Sequence, residues 1–186
     1  MFKIREKFIL WRIQQGEIKP FEEIYDYYAP KIYKFIYFKV SSVEDAEDLA
    51  SQTFIKFLKY LTKKQKINNL QALLYSIAKN LVIDFYRQKK QVSLFDDKIK
   101  DKMIDEKSLI ENLNSTLDLT LEIENIKKAL EKLNNEDKEI IILRFINDLS
   151  IKEIAKILNK SQNNTKVFLH RALRRLKMII NGKTQN

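Results

Sequence analysis

The chain has no cysteine, one histidine, two glycines and two prolines among its 186 residues. Without cysteine there is no disulfide framework, no thiolate zinc site and no cysteine nucleophile. A single histidine gives no basis for a histidine-built metal site or a hydrolytic triad. Turn-rich β architectures draw heavily on glycine and proline, so their scarcity argues against a sheet. Long apolar runs are missing too. The opening stretch "MFKIREKFILWRIQQ" is interrupted by Lys3, Arg5, Glu6 and Lys7, which suits neither a secretory leader nor a membrane span. The expectation is an intracellular protein without membrane insertion. Carboxylates are plentiful, but none pair in a pattern distinct from helix capping and surface charge. Neither a metal nor any other cofactor is expected, and no catalytic residue emerges.

The residues present favour helices. Lys, Ile, Leu, Glu and Asn dominate, and the hydrophobic fraction of 45% is enough for compact cores. Lysine and arginine outnumber aspartate and glutamate by 35 to 25, a formal charge of +10, which favours an anionic partner. Apolar residues recur every three or four positions, as in Phe21, Ile24, Tyr28, Ile32, Phe35 and Phe38. Pro30 should start a new helix or kink the first. Ser42 is placed to N-cap a helix ending near Leu61, and another helix covers about 70–90. Trp11 is expected to pack. From residue 91 to about 120 the periodicity weakens among acids, Asn and Ser. The predicted fold is all-α: two small helical domains over 1–92 and 121–186, joined by a flexible linker over 93–120, the second containing a helix-turn-helix.

That second module carries the clearest pattern. A helix over about 135–146 ends in "NDLS", after which Ser150 and Glu153 form a capping box for "IKEIAKILN". Asn159 stands where a turn needs positive φ, and Ser161 caps the last helix. Projected at 100° per residue, Thr165, Leu169, Ala172, Leu173, Leu176 and Ile180 share the core side of this helix. No acid occurs from Ser161 to Ile180. A solvated helix usually mixes both signs, whereas phosphate contact requires one. Gln162, Asn163, Asn164, Lys166 and Val167 occupy the first turns, where a recognition helix meets base edges. His170, Arg171, Arg174 and Arg175 complete the exposed basic side.

With "KEIIILRF", "LSIKEIAKIL" and "TKVFLHRALRRL" in order, the module resembles region 4 of bacterial RNA polymerase sigma factors, in particular the extracytoplasmic-function group. The resemblance implies that the residues from Gln162 to Arg175 just named read a minus-thirty-five promoter element. Asn134 replaces a usual proline and Lys138 a usual arginine; Asn164, Thr165 and Phe168 also depart from the pattern. The DNA sequence read is therefore not carried over.

Upstream, "EDAEDLASQTFIKFL" and "LLYSIAKNLVIDFYRQKK" resemble region 2 of the same group. Acids in a first helical turn are each favoured by roughly 0.3–1 kcal/mol. This accounts for one or two of Glu44, Asp45, Glu47 and Asp48, but not for four mutually repelling groups. The resemblance supplies a partner: core RNA polymerase, whose β′ clamp helices would face Asp45, Glu47, Asp48 and Gln52, with the β flap as a further polymerase contact. It also implies that the loop with Lys63, Lys64 and Lys66, together with Tyr75, Lys79, Asn80 and Arg87, holds an unstacked minus-ten base. Leu73 replaces the family tryptophan. Promoter DNA is the second partner implied. An anti-sigma factor is common in the group, although no residue here singles one out. A free-standing helix-turn-helix regulator is the alternative, but it has no need of the upstream module. A helical adaptor would leave the acid-free last helix unexplained.

Overall fold

The computed structural model describes residues 2–17, 19–40, 42–63, 67–95 and 117–181. Every regular element among them is helical. The chain divides into two compact units, Met1–Ile36 with Glu44–Lys102, and Tyr37–Val43 with Met103–Asn186.

The first unit contains α1 (Phe2–Gln14), most of α2 (Lys19–Tyr37), α3 (Val43–Thr62) and α4 (Leu70–Phe95). Pro30 neither ends nor divides α2, which continues past it to Tyr37. Helix α3 starts directly after Ser42, where the cap was expected. The apolar period of α2 buries Ile24, Tyr28, Ile32 and Phe35, and Phe57 of α3 and Leu74 of α4 are buried in the same unit. Aromatic edges interlock across these helices: Phe35 meets Tyr75 at 5.1 Å and Tyr25 meets Phe54 at 4.8 Å between ring centroids. Such pairs add about 0.5–1.5 kcal/mol beyond area burial.

Helix α1 is tied down by Glu6. One carboxylate oxygen accepts from the Tyr28 hydroxyl at 3.3 Å, and the other from the Leu70 backbone N–H at 3.3 Å. The second bond satisfies an orphan donor in the first turn of α4, where Asn69 also accepts from the Ala72 N–H at 2.7 Å. Burial, with the Glu6 charge beside it, pushes the Tyr28 phenol far above its usual range. The unfolded chain releases this proton near pH 10, whereas the folded chain retains it. Stability from this group is therefore intact below about pH 10 and declines as the pH rises further. Tyr28→Phe should flatten the fall in urea midpoint between about pH 9 and 11; an unaltered slope would assign that decline to other groups.

Trp11 does not pack as expected. It is 54% exposed and stacks on Phe8, itself 55% exposed, at 6.0 Å. Ile9 and Leu10 take the inner side of α1 instead.

The expected linker is entered from both ends. Helix α4 runs on to Phe95, since no Gly or Pro interrupts it, and α5 (Leu117–Glu131) begins three residues before the expected end of the linker at 120. Residues 96–116 of the expected linker lie outside the described residues.

The second unit contains α5, α6 (Asn135–Ile141), α7 (Ile151–Ile157) and α8 (Gln162–Ile180). The helix expected over 135–146 changes character midway: after Ile141 it widens into a π-helical turn, Ile142–Ile146. Asn147 N–H then bonds back to the Ile142 carbonyl at 3.0 Å, and Leu149 N–H to Leu143 at 3.0 Å. Arg144 donates to the Leu149 carbonyl at 3.0 Å, clasping the turn that Asp148 makes at φ 50°. Helix α7 begins with the expected capping box between Ser150 and Glu153, and Asn159 takes φ 52° at the turn. Ser161 accepts from the Asn164 N–H at 3.2 Å. Thr165 and Ala172 are buried against the unit's core, and Leu169, Leu173 and Leu176 are half-buried. Ile180, expected on the core side, is 66% exposed in the last turn.

Candidate nucleic-acid and protein interfaces

Three surfaces arise from this framework. The first is the outer face of α3. Glu44, Glu47 and Asp48 are exposed, while Asp45 is half-buried. Gln52 donates to Asp48 at 2.7 Å, one turn apart, which aligns the amide with the carboxylates. A 100° projection puts Glu44, Asp48, Ser51, Ile55 and Leu58 within one stripe. Ile55 and Leu58 are 54% and 45% exposed. The stripe is therefore acidic for two turns and apolar for the next two. Sequence reasoning missed these two residues because it followed the carboxylates and Gln52 alone. Their seven- and ten-residue spacings from Asp48 were the available signal.

The second surface is the outer side of α4 with the loop before it. Asn80 and Arg87 are exposed, Asp84 and Lys79 half-buried, and Arg87 pairs with Asp84 at 3.2 Å. Such an exposed pair contributes about 0–1 kcal/mol and yields readily to a phosphate. Lys63 is exposed directly after α3, whereas Lys64 and Lys66 lie outside the described residues. Tyr75 requires a correction. Its ring is fully buried edge-on against Phe35, so it offers no platform for a base. The reason is geometric: five positions on a helix turn Tyr75 about 140° away from Asn80. Tyr86, in contrast, is 42% exposed.

The third surface is α8. Gln162, Asn163, Asn164, Lys166 and Val167 are exposed in its first turns, followed by His170, Arg171 and Arg174. No acid lies in the first turn, so the helix N-terminus retains its affinity for negative charge. Arg175 belongs elsewhere. Its Nη1 donates to both carboxylate oxygens of Asp137, at 2.9 and 2.6 Å, and Asp137 is fully buried. Asn134 completes this site: its side chain accepts from the Asp137 N–H at 2.9 Å and donates to the carboxylate at 2.8 Å. The residue in place of the usual proline thus caps α6 and also holds the buried acid.

Among the described residues, no group of three or more His or carboxylates is placed to hold a metal ion. No helix among them is long and apolar enough to cross a membrane.

These surfaces coincide with known modules. The Sigma-70 region 2 family model matches residues 24–92, and the Sigma-70, region 4 model matches residues 123–176. RNA polymerase sigma factor YlaC of Bacillus subtilis is 30% identical over 156 residues, covering 84% of this chain and 89% of its own. ECF RNA polymerase sigma factor SigW of the same organism is 28% identical over 174 residues, covering 86% and 88%. ECF RNA polymerase sigma factor BldN of Streptomyces coelicolor is 29% identical over 175 residues, covering 91% of this chain but 63% of BldN. In fold, the chain matches CnrH, solved with the cytosolic domain of CnrY, at a TM-score of 0.70 with 18% identity over 95% of this chain and 97% of that one. It also matches sigma factor RpoE of Bartonella quintana, solved with the anti-sigma factor NepR, at 0.68 with 24% identity over 88% and 98%.

The chain belongs to the sigma-70 family of RNA polymerase sigma factors, among relatives of the extracytoplasmic-function group. It is a transcription initiation factor that directs RNA polymerase to promoters. A free-standing regulator would have no use for region 2.

Proposed function

We propose that the acidic-to-apolar stripe of α3 docks on the β′ clamp helices of core polymerase, while α8 reads the minus-thirty-five element. Opposite charge on these two surfaces carries this reading. Glu44, Asp45, Glu47, Asp48 and Gln52 would meet basic groups, and Ile55 and Leu58 would be covered by apolar contact. In α8, Gln162, Asn163, Asn164 and Val167 face bases, and Lys166, Arg171 and Arg174 face phosphates. His170 lies beside them, and Arg175 supports the helix from behind. The outer side of α4, with Lys63, Lys79, Asn80 and Arg87, receives a flipped minus-ten base. Extrusion costs a few kcal/mol, which pocket contacts must return.

The protein then acts stoichiometrically in the bacterial cytoplasm, and polymerisation remains the work of the core enzyme. Since CnrH and RpoE of Bartonella quintana are solved with CnrY and an anti-sigma factor, a protein inhibitor of the same kind fits this reading, competing for these surfaces. The region 2-like domain over 1–92, the linker over 93–120 and the region 4-like domain over 121–186 divide these tasks.

Run-off transcription with purified core polymerase and a promoter library tests the whole reading: transcripts should depend on both protein and a two-part promoter. Operator binding without any polymerase-dependent transcript would overturn it. Asn80→Ala should reduce open-complex formation about tenfold or more with little change in core binding, since the lost contacts act on the flipped base. Permanganate reactivity of the promoter reports this, and undiminished reactivity would remove Asn80 from the base pocket.

A further inference from the structure

Beside the α3 stripe, α2 and α3 enclose a groove of about 400 Å³ lined by Tyr25, Tyr33, Phe54, Ala29 and Pro30, with Glu47 and Ser51 on the α3 side. Its walls are aromatic. Tyr25 is 44% exposed and packs at an angle against Phe54, with ring centroids 4.8 Å apart. Among the described residues, the one charged group lining it is the Glu47 carboxylate and no lysine or arginine lines it; Glu22 and Asp26 are exposed on the same helix as Tyr25. Neither the composition nor the periodicity of the sequence pointed to it, because its residues come from two helices.

We propose that this groove receives one arginine or lysine side chain carried on the polymerase helix that docks along the α3 stripe. The inference rests on the docking reading above and adds a specific anchor to it. A long cationic side chain has an apolar stem and a charged head. The stem would lie along Ala29 and the tyrosine rings, and the head would meet the ring faces and Glu47. Cations over aromatic faces gain from the ring quadrupole, more so when desolvated. An apolar anchor would leave Glu47 unanswered, and an acidic one would be repelled by it. Ser51 belongs to both groove and stripe, and Glu47 directly precedes Asp48 of the stripe, so the anchor is continuous with the proposed interface.

The test is the affinity of the full chain for purified core polymerase. Tyr25→Ala and Glu47→Gln should each weaken binding about three- to tenfold, the range of one cation–aromatic or charge-assisted contact. Both act on the same incoming side chain, so the double variant should lose less than the product of the single losses. Ser51→Trp, which fills the groove from an exposed position, should weaken binding while preserving the helical circular dichroism of the parent. Normal binding by Tyr25→Ala and Ser51→Trp, alongside lost binding when Glu44 and Asp48 are reversed, overturns the groove and leaves the docking reading standing. Full additivity of the two single losses also overturns it, because the residues would then be reading different groups. If the reversal variant too binds normally, the docking reading itself has failed.

Discussion

Reversal of Glu44 and Asp48 to lysine should lower affinity for core polymerase by about a hundredfold or more, since like charges facing one another across an interface cost several kcal/mol. These two are the informative positions. Both are exposed at the start of α3, whereas Asp45 is half-buried, so replacing it confounds docking with folding. The fold should tolerate the change. Each lysine forfeits a favourable interaction with the helix N-terminus of roughly 0.3–1 kcal/mol, and repulsion between neighbouring acids is relieved in return. Helical content and urea midpoint should shift little while polymerase binding collapses. Raising the ionic strength should weaken the parent complex and narrow its advantage over the variant, because exposed charge is screened. Equal affinity of parent and variant at low salt would detach the acid stripe from polymerase.

Arg174→Ala and Arg175→Ala should have opposite signatures, although the residues are adjacent and chemically identical. Arg175 neutralises Asp137, which is fully buried. Its removal strands a carboxylate in the core and should destabilise the second unit by about 3 kcal/mol, the low end for a broken buried pair because the guanidinium is half-exposed. Asp137→Ala also removes the partner of Asn134 and the reason for Arg175 to lie there, and should cost about as much. Arg174 projects into solvent without such a role. Its loss should leave the denaturant midpoint within about 0.5 kcal/mol of the parent. It should instead reduce the salt slope of DNA binding by about one unit. Chemical denaturation and binding titrations at several salt concentrations separate the two. A stable Arg175→Ala protein with a reduced slope would return that residue to the phosphate-contacting set.

The parts of this molecule legible in its sequence are those written locally. Ser150 and Glu153 stand three apart and make their reciprocal bonds. Asn159 takes the left-handed backbone expected at its turn, and Ser161 heads α8. Contacts between distant segments were not legible. Asp137 and Arg175 are 38 positions apart, and nothing in a helical period announces that an arginine on the polar side bends back to a buried acid. Tyr75 shows a different failure. The resemblance placed it at the base pocket, but the Phe35 ring contributed by α2, which no period along α4 reveals, meets it inside the unit. Trp11 is the reverse, an apolar side chain expected to pack where Ile9 and Leu10 already take the buried side of α1. The π-helical turn over Ile142–Ile146 had no composition signal.

Helix α8 is anchored by Ser161 at its beginning and by the Asp137–Arg175 lock further along. Neither anchor uses the side chains of Gln162, Asn163 or Asn164. Those three positions can therefore change identity without disturbing the scaffold that aims them. If they read bases as proposed, descendants of this protein could drift from one promoter vocabulary to another with little change in folding stability, which makes regulatory rewiring an accessible evolutionary step for this architecture.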